Sequence, residues 1–192
     1  MSTKHDAFLK DLEPVYPRLS RYALAITRNT EEAEDLVSDA VLAALEKFDA
    51  NIPNENFAGF LFKITSRLWK RRRYRANFFV SYNEQEANNI EDANSRTDEA
   101  AEIAVIMDVL NTLPPKMKET VVLFDVADLS LEEIHKIQGG TISGVKSRLK
   151  RGREVLQKQL GIKSEIVVTP SGALSVPIRK KLSNAGEDYA LE

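Results

Sequence analysis

The sequence predicts an all-α fold made of two small helical domains joined by a flexible acidic linker, the second a four-helix domain with a helix-turn-helix. Apolar residues recur at three- and four-residue spacing through most of the first 160 residues, which is the period of helices with one buried face. That period disappears across 77–100, a stretch rich in Asn and acids and poor in large apolar residues. The predicted domains are therefore 1–76 and 101–161, and 162–192 form an extension of unknown role.

The first 50 residues predict a broken helical segment followed by one long helix. Pro14 and Pro17 interrupt the periodic stretch 6–28, so this stretch forms either two helices or one kinked helix. Thr30 is the predicted cap of the next helix, 31–48, which has a broad apolar face and a second, mostly acidic face. Leu42 lies among the acids of that second face, and a solvated surface is its simplest interpretation.

The next predicted helix, 57 to about 75, ends in the basic run KRRRYR with Trp69 and Tyr74 among the cations. Bases stack on aromatic rings while cations contact phosphates, so the pattern suits single-stranded nucleic acid. A solvated basic helix end, favoured by the helix dipole and with Trp69 in the core, explains the pattern equally well. The local sequence leaves both interpretations open.

The stretch 131–153 predicts two short helices separated by Gly139-Gly140, with Thr141 as the cap of the second. The apolar positions of the first helix are Leu131, Ile134 and Ile137, and those of the second are Val145, Leu149 and Leu156. Lys146, Ser147, Lys150 and Arg151 lie on the opposite face of the second helix. A basic second helix after a glycine turn is typical of a DNA-reading helix-turn-helix, although a plain packed hairpin shows the same period.

The composition excludes several other classes. The chain has no cysteine, which excludes disulfides and Cys-ligated zinc, and neither histidine has a partner at metal-ligand or catalytic-triad spacing. The net charge of −2 hides basic patches at 70–75 and 146–153 and an acidic strip at 84–102. No apolar run approaches the ~18 residues of a membrane span. We expect a cytoplasmic protein that is not an enzyme, has no cofactor and has no membrane span.

Taken in order, three motifs resemble the bacterial extracytoplasmic-function (ECF) sigma factors of the sigma-70 family, group 4. AEDLVSDAVLAAL (33–45) looks like that family's helix for docking on the RNA polymerase β′ clamp. FAGFLFKITSRLWKRRR (57–73) looks like its −10-reading segment, and 113–156 looks like its −35-reading domain. The resemblance covers roughly residues 6–160.

The resemblance implies a promoter-specificity subunit that binds core RNA polymerase (β′ clamp and β flap) and promoter DNA. It also allows a third partner, an anti-sigma factor. The implied polymerase contacts are Asp35, Leu36, Ser38, Asp39, Leu42 and Glu46. The implied −10 contacts are Asn54, Asn56, Phe60, Lys63, Arg67, Trp69, Lys70 and Arg71. The implied −35 contacts are Thr141, Ser143, Lys146, Ser147, Arg148, Lys150 and Arg151, with Arg148 and Arg153 as contacts to phosphate.

Departures from the family pattern keep two alternatives open. Arg67 stands where the family usually has Asn, and Gly140 and Gly144 replace larger residues of the helix-turn-helix. These departures predict a weaker −10 preference and a less rigid −35 reader. They also suit a sigma-like mimic that titrates an anti-sigma factor, while a stand-alone helix-turn-helix regulator is the third possibility. The β-branched runs within 162–192 suit a marginal hairpin, and this extension is either disordered or folded back over a DNA-reading surface as an inhibitor.

Overall fold

The computed structural model describes residues 4–49, 56–80 and 98–161, and within these ranges the regular structure is entirely helical. The predicted all-α fold is therefore confirmed. The helices, in chain order, are α1 Lys4–Leu12, α2 Tyr16–Thr27, α3 Thr30–Lys47, α4 Phe57–Val80, α5 Asp98–Thr112, α6 Pro115–Asp125, α7 Leu131–Gln138 and α8 Ile142–Leu160. We refer to α1–α4 as the N-terminal half and to α5–α8 as the C-terminal half.

The N-terminal half begins with two separate helices, as one of the two sequence-based options predicted. The turn that separates α1 from α2 contains Pro14. α3 starts after Asn29, whose side chain accepts a hydrogen bond from the backbone N–H of Glu32. The predicted cap Thr30 is therefore wrong by one residue: it occupies the first helical position, and Asn29 has the extended backbone that a cap requires.

Aromatic side chains fill the centre of the N-terminal half. Tyr22 and Phe62 join α2 to α4 in an edge-to-face contact with ring centroids 5.4 Å apart. Phe8 makes similar contacts with Phe48 and Phe57, which fix α1 against the end of α3 and the start of α4. This packing holds α3 between α2 and α4 and leaves one side of α3 exposed.

The C-terminal half confirms the predicted helix-turn-helix. Ser130 begins α7 with a reciprocal capping box to Glu133, and Thr141 caps α8 by accepting from the backbone N–H of Gly144. The two helices are separated by Gly139 and Gly140, with φ of 69° and 90°. A side chain at Gly140 would be strained, so this glycine sets the turn geometry rather than merely loosening it.

Arg153 lies inside the C-terminal half, and its predicted contact with DNA phosphate is wrong. Its guanidinium is buried and donates to Asp125 at 2.6 and 3.3 Å, and it also lies 4.8 Å from the centre of the Phe124 ring. A buried cation paired in this way positions α8 on α6. Gly152 permits the close approach, because a Cβ there would lie 2.6 Å from Val121 Cγ2.

The two halves pack against each other, with α7 on α4 and α6 on α2. Arg18 of α2 donates to the backbone carbonyls of Ala127 and Asp128, both at 2.8 Å. Lys118 of α6 donates to the carbonyl of Ile26 at 3.2 Å. Apolar residues of both halves form one buried cluster. The two halves of the described chain are therefore packed together. We call this arrangement closed, and an arrangement with the halves separated open.

Helix α4 continues to Val80 and α5 begins at Asp98, so helices include the first and last few residues of the predicted linker 77–100. The remaining linker residues and the predicted C-terminal hairpin lie outside the described residues. The proposed division into domains stays a prediction.

Candidate nucleic-acid interface and docking surfaces

One face of α8 carries exposed polar and basic side chains in the arrangement that the sequence predicted. Val145 and Leu149 face the core, which turns the opposite side of the helix to solvent. The exposed members of the predicted −35 set are Thr141, Ser143, Lys146, Ser147, Lys150 and Arg151. Lys150 lies 3.9 Å from Glu154 in an exposed pair, which leaves it accessible. This face has the shape and charge to enter a DNA groove.

Arg148 differs from its neighbours on α8 because it is engaged within the C-terminal half. Its guanidinium donates to Thr120 Oγ1 at 3.3 Å and to Gln138 Oε1 at 3.1 Å. Through these bonds it connects α8 to α6 and α7. Arg148 is therefore half-buried and holds the helix-turn-helix together in this conformation.

The basic surface of α4 is partly exposed and partly covered. Arg67 and Arg71 are exposed, while Phe60, Lys63 and Trp69 are half-buried. Asn56 accepts from the backbone N–H of Gly59 at 2.7 Å. The side chain that was predicted to contact DNA therefore caps the start of α4. Asn54 lies outside the described residues.

Lys70 of α4 is bound to a buried carboxylate of the C-terminal half, Glu119 of α6. Its ammonium lies 3.1 Å from Glu119 Oε2, and Ser66 donates to the other oxygen at 2.5 Å. Tyr22 and Gln138 complete the group, at 3.4 and 2.9 Å from the carboxylate oxygens. We call these five residues the carboxylate junction. Burial, and then the charge of Glu119, raise the pKa of Tyr22 well above its ordinary value.

The exposed face of α3 is acidic, as predicted, with the apolar Leu42 59% exposed among the acids. Asp35, Ser38, Asp39 and Glu46 are exposed on the same helix. Leu36 is fully buried, which corrects its prediction as a polymerase contact: it belongs to the apolar stripe that packs on the core. Arg72 of α4 donates to Asp39 at 2.5 Å and to the carbonyl of Asp35 at 3.2 Å.

Sequence reasoning missed both Glu119 and Arg72. Glu119 precedes the apolar Val122 by three positions and Leu123 by four. This spacing places an acid on the apolar face of a helix, which the sequence alone indicates. Arg72 gave no signal, because it lies within a run of cations and only the packing of α4 on α3 distinguishes it.

Neither a metal site nor a membrane-spanning helix is supported in the described ranges. Among residues 4–49, 56–80 and 98–161, no cluster of His, Cys, Asp and Glu is arranged to hold a metal ion. No helix within those same ranges is long and apolar enough to cross a bilayer.

Family comparisons match both halves of the chain. Residues 12–78 match sigma-70 region 2, and residues 101–156 match sigma-70 region 4. The chain is 28% identical over 160 residues to the ECF RNA polymerase sigma factor EcfG of Rhodopseudomonas palustris, with 81% of this chain and 86% of that protein covered. It is 30% identical over 148 residues to the ECF RNA polymerase sigma factor SigE of Mycolicibacterium smegmatis, covering 74% of this chain and 57% of that protein.

A solved structure shares the fold. It is the sigma factor RpoE of Bartonella quintana in complex with the anti-sigma factor NepR, and the TM-score is 0.68 at 25% identity. The similarity covers 82% of this chain and 98% of that one.

Proposed function

Because the chain belongs to the ECF sigma factors of the sigma-70 family, which are transcription regulators rather than enzymes, we propose that it binds core RNA polymerase and directs it to specific promoters. The observation that carries this proposal is the exposed face of α8. Lys146, Ser147 and Arg151 lie together on a helix that a glycine turn and a buried ion pair hold in place. In the proposal, this face reads the −35 element in the major groove.

The acidic face of α3 supports docking on a cationic partner surface. Asp35, Asp39 and Glu46 surround the exposed Leu42, so the face combines charge with an apolar contact at its centre. Such a combination is typical of protein interfaces, where an apolar residue anchors the contact and charges guide association. We assign this face to the β′ clamp of the polymerase.

The basic end of α4 is assigned to the opened −10 element. Arg67 and Arg71 are exposed for contact with phosphates, and Trp69 offers a ring for stacking with an unpaired base. Lys70 joins them only when it leaves Glu119. Use of this whole surface by a DNA strand therefore favours separation of the two halves. A protein that acts with RNA polymerase on promoter DNA would be located in the cytoplasm.

An anti-sigma factor is a further proposed partner. The Bartonella quintana sigma factor with the same fold was solved bound to one. An anti-sigma factor that covers the acidic face of α3 would compete with the polymerase for this chain.

Transcription with purified components tests the proposal. Core polymerase with this chain should initiate at discrete sites on genomic DNA, and the sequences upstream of those sites should share two spaced elements. Asp35→Asn should weaken the complex with core polymerase, whereas Glu13→Gln, another exposed acid at the end of α1, should not. A chain that forms no complex with core and supports no discrete start is not a sigma factor.

The same experiment distinguishes the alternatives. A mimic would bind an anti-sigma factor yet support no transcription. A stand-alone regulator would bind a specific duplex equally well without polymerase, which a mobility-shift assay at stated salt would show.

A further inference from the structure

The carboxylate of Glu119 lies against α4 at the place where the proposed function puts promoter DNA. Glu119 is 2% exposed, although it is a glutamate at the junction of two halves. Three of its four partners, Tyr22, Ser66 and Lys70, belong to the N-terminal half. Only Gln138 comes from its own half. The bonds that allow Glu119 to be buried therefore exist only while the halves are packed together.

A buried carboxylate is stable only when its oxygens are hydrogen-bonded and its charge is compensated. Ser66 and Tyr22 provide hydrogen bonds and Lys70 provides the charge, so the junction satisfies both conditions. Separation of the halves returns Glu119 to water and releases the Lys70 ammonium. The junction thus favours one specific arrangement of the halves over any looser contact between them.

The Lys70 ammonium is also the group that a promoter phosphate would bind. A carboxylate and a phosphate are both anionic oxygen acceptors, so they compete for this ammonium, which Glu119 and Ser66 already hold at 3.1 and 2.9 Å. The packing of α7 on α4 further limits access to that side of the helix. Trp69, next to Lys70, is half-buried in this arrangement.

We propose that Glu119 is an internal competitor for nucleic acid: it binds Lys70 in place of a DNA phosphate, so that closure of the chain weakens the binding of a strand to α4. The proposal rests on the proposed function for its biological meaning. Its physical content, a competition between Glu119 and a strand, is independent of polymerase.

The test uses the full chain without polymerase. Because the chain has no cysteine, Glu13→Cys and Lys158→Cys, both at exposed positions, allow a fluorescent donor and acceptor to report the separation of the halves. The probe is a fluorescein-labelled, mixed-sequence single-stranded DNA of about a dozen nucleotides, a length in the range that single-strand-binding proteins cover. Both readings are taken at one stated salt concentration, since the affinity depends on it.

Glu119→Gln should raise the ratio of open to closed molecules by about tenfold or more, since it removes the charge that compensates Lys70. Energy transfer should fall, and the affinity for the strand should rise by up to the same factor, because Lys70 adds to the exposed cations of α4 only in open molecules. The matched control is Glu132→Gln, an exposed glutamate of α7, which should change neither reading.

A folded Glu119→Gln chain with unchanged energy transfer and unchanged affinity overturns the proposal. If circular dichroism shows that this variant is unfolded, the same two measurements are made on Ser66→Ala instead. That variant removes a donor from α4 without altering α6. It should shift both readings in the same direction, and no shift in a folded Ser66→Ala chain also overturns the proposal. Failure of these assays leaves the transcription test untouched, and failure of transcription leaves the competition measurable.

Discussion

The two basic surfaces of this chain differ in what surrounds their cations. On α8, Lys146 and Arg151 are exposed, and neither has an ion-pair partner among the described residues. On α4, Lys70 is bound to Glu119, while Arg72 is bound to Asp39. One surface is presented to solvent, whereas two cations of the other are engaged within the chain. A basic stretch of sequence therefore predicts an accessible cationic surface only where no carboxylate of the fold pairs with its cations.

Arg153→Ala should have the largest effect, because it removes the support of the exposed surface. Asp125 is fully buried beside Arg153, and the substitution removes the cation that is paired with this buried charge. The free energy of unfolding should fall by about 3–5 kcal/mol. Urea denaturation measures this change.

Lys150→Ala is the control for that experiment, because its pair with Glu154 is exposed. It should change stability by less than about 1 kcal/mol. Equal losses in the two variants would contradict the assignment of Arg153 to the core.

Lys146→Ala and Arg151→Ala should break the function of the exposed surface without affecting its fold. A lost base contact costs about 1–3 kcal/mol of binding, and a lost phosphate contact reduces the salt dependence of binding by about one charge. Promoter binding by the polymerase complex, measured over a series of salt concentrations, separates the two kinds of contact.

Lys158→Ala, an exposed cation of the last turn of α8, should leave promoter binding unchanged. If it weakens binding as much as Lys146→Ala and Arg151→Ala do, the DNA-binding face of α8 has been placed wrongly.

The closed arrangement should become more favourable as the pH rises from 7 to 9. Burial, followed by the charges of Arg28 and Arg73, lowers the pKa of Lys118 from 10.5 to about 8. Both arginines belong to the N-terminal half, as does the carbonyl of Ile26 that Lys118 contacts, so separation moves the pKa of Lys118 back towards its ordinary value. Between pH 8 and 10.5 the open form then binds more protons than the closed form, and a rise in pH favours closure by roughly 1 kcal/mol per pH unit.

Energy transfer between labels at residues 13 and 158 should therefore increase from pH 7 to 9. The other ionisable groups to be considered are Asp108, paired with Arg28, and Tyr22, whose raised pKa keeps it neutral in the closed form. Because the open form loses the Tyr22 proton first, closure weakens again above about pH 10. Lys118→Met should remove the increase between pH 7 and 9, and its persistence in that variant would assign the effect to another group.

Arg72→Ala should have the smallest effect on stability. Its pair with Asp39 is substantially exposed, with 33% and 55% of the two side chains accessible, so the loss should be below about 1 kcal/mol. Urea denaturation beside Arg71→Ala, an exposed cation of the same helix, measures it. If the free energy of unfolding fell by more than about 2 kcal/mol, the exposed Arg72–Asp39 pair would contribute more to stability than an exposed pair should.

The sequence was sufficient for the features that depend on local chemistry. Helical periodicity predicted the all-α fold, and Thr141 with the exposed face of α8 followed from spacing and capping rules. It was insufficient where two elements distant in sequence meet. Glu119 and Lys70 are far apart along the chain, and only the packing of α6 and α7 on α4 brings them together.

Two individual errors have the same origin. Arg153 follows the exposed basic residues of α8 and was grouped with them, but one further turn of the helix directs it towards Asp125. Leu36 lies between the exposed Asp35 and Ser38, and its burial follows from the helical period rather than from its position in a motif.

Amine labelling of the isolated wild-type chain tests the central claim most directly. Acetylation under limiting reagent, read by mass spectrometry, compares Lys70 with Lys146 within one sample. The account predicts that Lys146 reacts as a solvent-exposed lysine does, whereas Lys70 reacts several-fold more slowly because Glu119 and Ser66 hold its ammonium. Equal rates for the two lysines would contradict the claim that the chain engages Lys70 of one basic surface and presents the cations of the other.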